Sequence, residues 1–562
     1  MRRLDSRRLT GPNLLWDYPG AVLDVAFEGG EPDQEIAAWQ SQARRMLDAV
    51  DWRKEQTCVR RFRDGASLAI SAPVDALYSA TDVNDWAFDS ACDIKDGLPE
   101  PDIEHDAIRL AEIIRNERNP GLITLRDAAE SHNKPILIDT EEVSVGLGCF
   151  SKCWTLDKVP YTGDVPWDEL DSIPVALITG TNGKTTSVRL AASIARSGGA
   201  TIGLSSTDWI AAGDNILDTG DYSGPGGART VLRDRGVDLA ILETARGGLL
   251  RRGLAVTRAD AVLITNVASD HLGEFGIYNI EELADVKWIV TRALDEDSTL
   301  VLNADDPRLV ERAQGTLFNI TWFSPDPDNP VLEEHARRGG TVCTVIDECI
   351  SVVRAGGKQF IVPVSAIPIT FNGAAVHNIY NALGVTGLTL GLGLEPGAIA
   401  AGLRAMEPND NPGRSNVYRI NGATVVVDFA HNPHGMEAFV KMAAAMPAHR
   451  RILLIGQAGD RNDMDIRGLA TTACTTHWDQ IVIKEMDDYA RGRERGEAAD
   501  ILYDEFILRG IPGENIDRQR HELEAVKTLV TGARPEDLII LLIHEQRGKV
   551  LDYLKKMAEE ST

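Results

Sequence analysis

Short apolar runs that end in polar clusters recur along this chain, and between them lie stretches with the 3.6-residue period of helices. Val175–Ile178 reads as a buried parallel strand and Val188–Ile194 as the inner face of a helix. "DLAILET" (238–244), "DAVLITNV" (260–267) and "STLVLNADD" (298–306) read as further strands, with helical periodicity over Ile280–Leu294. This alternation predicts a doubly wound parallel sheet, whose ligands gather at the carboxyl ends of the strands. A β-rich patch follows over Thr341–Pro368, then a helix over Asn378–Leu392 and a break at "MEPNDNPGRSN". Beyond it, "TVVVDFAHNP", "RILLIGQAGD", "QIVIKEMDD" and "DLIILLIHE" predict a second, smaller Rossmann-like α/β unit.

Ahead of these, up to about Val165, short apolar segments alternate with helical ones such as Ile103–Arg118. "KPILIDT" reads as a strand and "SVGLG" as a turn-rich edge, while Pro160–Ser172, punctuated by prolines, reads as a linker. The expected architecture is therefore α/β throughout, in three domains. They are an N-terminal α/β domain (1–165), a central P-loop domain on a doubly wound sheet (170–406) and a C-terminal Rossmann-like domain (407–562). No internal repeat or low-complexity tract interrupts them.

Composition narrows the class of protein without naming a function. Hydrophobic residues at 43% and charged residues at 25% are ordinary globular values. The 58 basic and 85 acidic residues leave a net charge of −27, which argues against nonspecific nucleic-acid and anionic-membrane binding. Seven scattered cysteines make a poor disulfide framework, and Cys149-x-x-x-Cys153 lacks a second pair for zinc, so free thiols are expected. The opening "MRRLDSRRLTGPNLLWDYPG" has no apolar core of signal-peptide length, and "LIILLI" (538–543) suits a buried strand rather than a membrane span. The expectation is a soluble, cytoplasmic protein.

The polar tips of the strands carry the chemistry. Gly180-Thr181-Asn182-Gly183-Lys184-Thr185-Thr186 joins the first parallel strand to its helix. Glycines bring backbone N–H groups close to an anion, the helix start and Lys184 add positive charge, and a threonine hydroxyl can ligate magnesium. The general P-loop spacing would place glycine at 178, where this chain has isoleucine, so the loop is a shortened variant. Glu243, ending a strand that could lie beside this cradle, could complete the magnesium shell with Thr185. Asn266, Asp270 and His271 cluster after the next strand and suit a metal or a base. Periodicity alone makes Lys287 a surface lysine that extends its ammonium to water. Later segments offer His377, Asn378 and Asn381, then Arg414, which suits phosphate clamping, then Asp428, His431 and Asn432, of which the strand-end Asp428 suits ribose hydroxyls. Nucleotide-type residues at two domains' facing ends imply a site closed between domains.

In their order, "TGTNGKTT", "ET.RGG", "TNV..DHLG", a lysine on the next helix, "LNADDP", "HN..N", "NPGR" and "VDFAHNP" resemble the Mur ligase superfamily from about Ile173 to the C-terminus. "GDYSGPGGAR", "ETARGGLLRRGL", "GDRND" and "KEMDDYARGRERGE" resemble most the Mur-like part of the cyanophycin synthetases, and "RRLTGPNLLW" resembles, more faintly, the opening of their N-terminal domain. In that family an ATP-grasp module stands between the two parts. Here only about one domain's length precedes Pro174, so the module and its job of extending an aspartate backbone are expected to be missing.

The resemblance implies an ATP- and Mg2+-dependent amide (isopeptide) ligase. ATP would phosphorylate a carboxylate, and an amine would attack the acyl phosphate and expel phosphate. It assigns Gly180 to Thr186 to the triphosphate with Lys184 on the β/γ-phosphates, Thr185 and Glu243 to one magnesium, and His271 to a second. Lys287 matches a lysine that many relatives carbamylate into a metal-binding carboxylate. Asn381 would contact the adenine, Arg414 the phosphates and Asp428 the ribose, with His431 beside them. The loop Tyr222–Arg229, with Ser223, Gly224 and Arg229, would touch the carboxylate substrate. Asp487, Asp488, Arg491, Arg493 and Glu497 would select the amine, and the two aspartates would suit arginine, joined onto an aspartyl side chain. A small-molecule or peptide carboxylate and an amino acid are thus the expected partners, with no nucleic acid or membrane, and many relatives in this branch are oligomers. The N-terminal domain would tether or position the acyl substrate. A non-catalytic nucleotide-gated scaffold, a P-loop NTPase doing mechanical work and a folylpolyglutamate-synthetase-like ligase are the alternatives.

Overall fold

A computed structural model describes residues 1–29 and 31–561, with the side chain of Asp487 outside the description. The chain divides into two units. One comprises Met1–Val267, Leu272–Phe323 and Gly384–Glu395, the other Ala268–His271, Ser324–Leu383 and Pro396–Thr562.

The first unit opens with four antiparallel strands, β1 (Arg2–Leu9), β2 (Gly20–Ala26), β3 (Thr57–Phe62) and β4 (Gly65–Ser71), in the order β1-β2-β4-β3. The helices Pro32–Ala49 and Leu77–Lys95 cover the sheet, and Leu23, Leu68 and Ile70 meet Trp39, Met46 and Leu47 in a sealed core. A polar pair within it is satisfied: the Trp39 indole donates to Asn84 (3.0 Å), whose amide donates to the Leu68 carbonyl (2.9 Å). A small antiparallel sheet follows, β5 (Ile136–Ile138), β6 (Glu142–Val145) and β7 (Lys152–Thr155), packed with the helix Pro120–Ser131. The stretch read as a linker is anchored here. Val165 and Leu170 are buried against Leu122 and Leu125, so its prolines shape short 3-10 turns over a core.

The central sheet holds β8 (Val175–Thr179), β9 (Ile202–Ser205), β10 (Trp209–Ala212), β11 (Asn215–Thr219), β12 (Leu239–Glu243), β13 (Ala261–Ile264), β14 (Thr299–Asn303) and β15 (Asn319–Phe323). Strands β9, β12, β8, β13, β14 and β15 run parallel in that spatial order, with β10 and β11 antiparallel on one edge. Every residue of β8, β12, β13 and β14 is buried, which is why these strands read as unbroken apolar runs. After β8 the chain crosses to β9 and β12 on one side, and later to β13 on the other. The end of β8 is therefore the switch point where α/β sheets hold ligands.

In the second unit β16 (Thr341–Ile346), β17 (Cys349–Arg354) and β18 (Gly357–Pro363) form an antiparallel meander, followed by the helix Val376–Gly391, whose end belongs to the first unit. The C-terminal sheet contains β19 (Asn416–Ile420), β20 (Ala423–Asp428), β21 (Arg450–Ile455), β22 (Gln480–Lys484), β23 (Ile516–Gln519) and β24 (Asp537–Leu542). Its order is β19-β20-β24-β21-β22-β23, parallel except for β19, with an apolar core on each face. The α/β class expected from the periodicity is what forms. All seven cysteines are free thiols, and no described helix is long and apolar enough to cross a membrane.

Candidate active site

The phosphate-type loop leaves β8 through Gly180 and enters the helix Lys184–Ser197 through Gly183, both at positive φ (146° and 87°). A side chain at 180 has no room, because an added Cβ would lie 1.8 Å from the Thr265 hydroxyl. That hydroxyl belongs to a clamp built by the end of β13. Thr181 N–H donates to the Asn266 carbonyl (2.9 Å) and Asn182 N–H to the Asn266 side chain (3.0 Å). In return the Thr265 hydroxyl and the Asn266 amide donate to the Asn182 carbonyl (2.7 and 3.0 Å). Four hydrogen bonds thus fix the loop, and Gly183 at the N-cap places no side chain over the helix start. Lys184 folds back to donate to the Thr181 carbonyl (2.9 Å), keeping its ammonium within the loop.

Glu243, the last residue of β12 and 1% exposed, receives a hydrogen bond from the Thr185 hydroxyl at 3.0 Å. The parallel register of β12 with β8 pairs Glu243 with Ile178, so the carboxylate arrives level with the loop. Thr207, in the turn between β9 and β10, holds it from the other side. Its hydroxyl donates to Oε1 (2.6 Å) and its N–H to Oε2 (3.2 Å). Sequence reasoning missed Thr207, since an isolated threonine in a turn carries no motif. A hydroxyl beside a fixed carboxylate at the mouth of an anion-binding loop is a donor set suited to magnesium.

Lys287 is 3% exposed, which overturns its reading as a solvated surface lysine. Leu283 and Ala284 precede it by four and three positions on the helix Ile280–Trp288 and share its buried face.

The loop Tyr222–Arg229 is built on close backbone approach. Gly224 starts the helix Pro225–Leu232 and lies against Gly248, where a Cβ would meet the Gly224 Cα at 2.9 Å. Ser223 bonds Asp221 through its hydroxyl (2.6 Å) and N–H (3.1 Å). Arg229 is buried, donating to the Thr10 hydroxyl (3.0 Å) with Asp139 at 3.6 Å.

Asp270 and His271 belong to the second unit, where they gather with His431 and Arg461. Arg461 donates to Asp270 (2.9 Å) and contacts His271 Nε2 (3.0 Å), while His431 Nε2 lies 3.7 Å from Asp270. Burial alone would raise the Asp270 carboxyl. The hydrogen bond and charge of His431, with His271 and Arg461, outweigh it and hold Asp270 well below the usual carboxylate range. Asp270, His271 and His431 converge closely enough to share a metal ion, and Arg461 supplies positive charge at the same spot. Arg461 was visible only as part of the "GDRND" phrase.

Arg461 is held in turn by the loop around Arg493. Arg493 donates to the carbonyls of Gly459 (2.9 Å) and Arg461 (2.7 Å), and to Asp463 (2.7 Å) and Glu497 (2.6 Å). Arg491 pairs with Asp460 and lies over Tyr489, and Asp488 is exposed, while the Asp487 side chain falls outside the description. A small cleft lined by Gln457, Lys484, Glu485, Arg493, Glu494 and Gly496 opens beside this loop.

Asp428, ending β20, is buried and receives N–H bonds from Ser415 and Ala430 (both 2.8 Å). Burial raises its carboxyl even though Arg414 and these donors oppose the rise. The Arg414 guanidinium lies over Phe429 at 4.4 Å. Asn381 is buried on its helix and donates to Asn378 (3.1 Å), which donates to the Ile369 carbonyl (2.7 Å).

Residues 178–389 match the Mur ligase middle domain and residues 413–542 the Mur ligase glutamate ligase domain. A cyanophycin synthetase from Geminocystis herdmanii is 36% identical over 380 residues, 67% of this chain and 43% of that protein. One from Crocosphaera subtropica is 38% identical over 352 residues, 62% and 39% respectively. This chain thus spans less than half the length of these relatives. The UDP-N-acetylmuramoyl-L-alanyl-D-glutamate–2,6-diaminopimelate ligase of Bacillus cereus is 24% identical over 379 residues, 65% of this chain and 71% of the ligase. Among solved structures, E. coli FolC in complex with DHPP and ADP aligns at a TM-score of 0.50 and 18% identity, over 68% of this chain and 89% of FolC, a likeness of fold. With the middle and glutamate ligase domains in order and the phosphate loop and Glu243 inside the first, the chain belongs to the Mur ligase superfamily.

Proposed function

We propose that this chain is an ATP- and magnesium-dependent ligase that joins a carboxylate to an amine. The observation that carries the reading is the Thr185–Glu243 pair at the mouth of the clamped glycine loop. The N–H groups at the start of the helix Lys184–Ser197 and the Lys184 ammonium would receive the β- and γ-phosphates, offsetting their charge. Thr185 and Glu243 would hold magnesium, which when bound supplies further charge neutralisation between phosphate and the incoming carboxylate. Thr207 keeps Glu243 aimed at that position. The γ-phosphoryl passes to a carboxylate oxygen, ADP leaves, and the amine attacks the acyl carbon and expels phosphate.

Lys287 extends this reading. Its burial suits conversion from a cation to a carbamate: the neutral amine adds CO2, loses a proton, and becomes a second carboxylate for metal. The exposed Asp488 would suit a guanidinium, so arginine is the amine we assign, with an aspartyl side chain as the carboxylate.

The test is incubation of the full chain with ATP, magnesium, aspartate-containing peptides and each amino acid in turn, arginine first. Phosphate release and product mass are read together. A product at the summed mass less water, lost in Lys184→Met, is expected. Ligation that persists in Lys184→Met would remove the loop from the reaction, and failure to consume ATP or trap an acyl hydroxamate with hydroxylamine would return the chain to a scaffold role.

A further inference from the structure

We propose that the buried Arg189–Asp208 ion pair sets the spacing of the two threonine hydroxyls that hold Glu243, which makes both charged residues positioning residues for the magnesium site. This deepens the ligase reading and rests on it in taking Thr185 and Glu243 as the metal's ligands.

The contacts close a ring. Glu243 receives the hydroxyls of Thr185 (3.0 Å) and Thr207 (2.6 Å). Thr185 lies in the first turn of the helix Lys184–Ser197, and Arg189 follows it by four positions, on the same face. Thr207 lies in the turn between β9 and β10, and Asp208 follows it directly. Arg189 and Asp208 then join helix to turn, the guanidinium donating to the carboxylate. The distance between the two threonines therefore depends on a bond that touches neither of them, nor Glu243.

The pair is buried and hemmed in. Both residues are 6% exposed, and the Arg189 guanidinium lies 4.1 Å from the centroid of the Trp209 ring. The turn itself is closed without these charges. Ser206 N–H donates to the Trp209 carbonyl (3.0 Å), and the Ser206 hydroxyl receives the N–H groups of Asp208 and Trp209 (both 3.3 Å). The carbonyls of Asp208 and Ser206 receive the N–H groups of Gly220 and Tyr222 (both 2.9 Å).

A turn with so many backbone bonds needs no ion pair to form, and two buried charges gain little over an apolar pair of the same volume. What the pair adds is direction, because a planar fork held over a ring fixes where the turn sits along the helix. Metal ligands need placement within about 0.5 Å. The register of β12 with β8 fixes only the backbone of Glu243, so its carboxylate takes its aim from the two threonines.

Mn2+ titrated into the full chain with ADP present, and read by electron paramagnetic resonance, tests this without turnover. The bound component that Glu243→Gln abolishes is the one to follow. Arg189→Met/Asp208→Asn removes both charges, so neither is left buried without its partner, and its urea midpoint should stay near that of wild type. Its Glu243-dependent Mn2+ affinity should nonetheless fall about tenfold, as loss of an outer support for a metal ligand implies. Arg189→Lys keeps the charge but loses the fork, so a fall of about threefold is expected, and it covers a double variant that does not fold. Arg61→Gln, at an exposed arginine paired with Asp33, should bind as wild type.

Wild-type affinity in the folded double variant or in Arg189→Lys, an equal loss in Arg61→Gln, or no Glu243-dependent component at all would overturn the proposal. The ligase reading fails separately. A chain that binds Mn2+ in this graded way yet never ligates removes that reading and leaves the pair in its role. A wild type that ligates while the double variant binds Mn2+ normally does the reverse.

Discussion

Replacing Thr207 by valine removes a single hydroxyl from the grip on Glu243 while nearly preserving shape. Glu243 receives three donors here: the Thr185 hydroxyl at 3.0 Å, the Thr207 hydroxyl at 2.6 Å and the Thr207 N–H at 3.2 Å. The shortest of them is lost. A hydrogen bond to a charged group contributes about 1.5–3 kcal/mol. Thr207 is only half-buried, so the lower end applies, about 1.5 kcal/mol, or roughly a tenfold effect. Because Thr207 acts through Glu243, the loss should appear as a rise in the magnesium concentration needed for half-maximal ATP-dependent ligation, with the ATP requirement little changed. Thr207→Ser, which restores the hydroxyl, should recover most of it. The assay is phosphate release across a magnesium titration. A Thr207→Val enzyme whose magnesium dependence stays within twofold of wild type would refute the reasoning, as would an equal defect in Thr207→Ser.

Gly180→Ala would force a methyl group to within 1.8 Å of the Thr265 hydroxyl at a φ of 146°, so binding of a fluorescent ATP analogue should fall at least about a hundredfold; unchanged binding would show the clamp to be dispensable. Lys484 and Glu522 are both sealed from solvent, and Glu522 also takes N–H bonds from His544, Glu545 and Gln546. Lys484→Met should therefore destabilise by about 3 kcal/mol in urea unfolding, with much of it recovered in Lys484→Met/Glu522→Gln; a loss below about 1 kcal/mol would contradict the buried-charge argument. Burial, with His434 alongside, pushes the His377 imidazole down to about 4 from an ordinary 6.5, and its Nδ1 has no partner. The folded state resists a proton that the unfolded state accepts, so stability present above pH 6.5 should drain away as pH falls towards 4. Thermal unfolding of His377→Phe should show a shallower fall across that window, and an identical slope would rule the group out.

The meeting of the glycine loop with Glu243 was legible because its pattern is local. Gly180 to Thr186 occupy consecutive positions after an apolar run, and Glu243 ends another such run, so strand pattern and residue type sufficed. What the sequence hid depends on contacts between distant positions. Thr207 acquires meaning only when β9 and β12 lie side by side. Arg461 acquires it when its guanidinium reaches Asp270, 191 positions earlier. Lys287 misled because a charged residue on an amphipathic helix defaults to the surface, although its helical phase with Leu283 placed it inside. Pro160–Ser172 misled because its two apolar anchors, Val165 and Leu170, are too few to make a period.

The phrases "RRLTGPNLLW" and "ARGGLLRRGL" stood apart in the sequence, yet they are halves of one joint: Thr10 N–H bonds the Arg252 carbonyl and Leu254 N–H the Pro12 carbonyl. Thr10 and Arg252 are 242 positions apart. At translation rates of about 5–20 residues per second, the earlier half waits roughly 12–48 s for the later one to exist. Throughout that interval Thr10 and Pro12 lack these partners on a nascent chain whose first sheet can already be complete. The joint thus closes late in synthesis, only after the glycine loop and Glu243 have both been made.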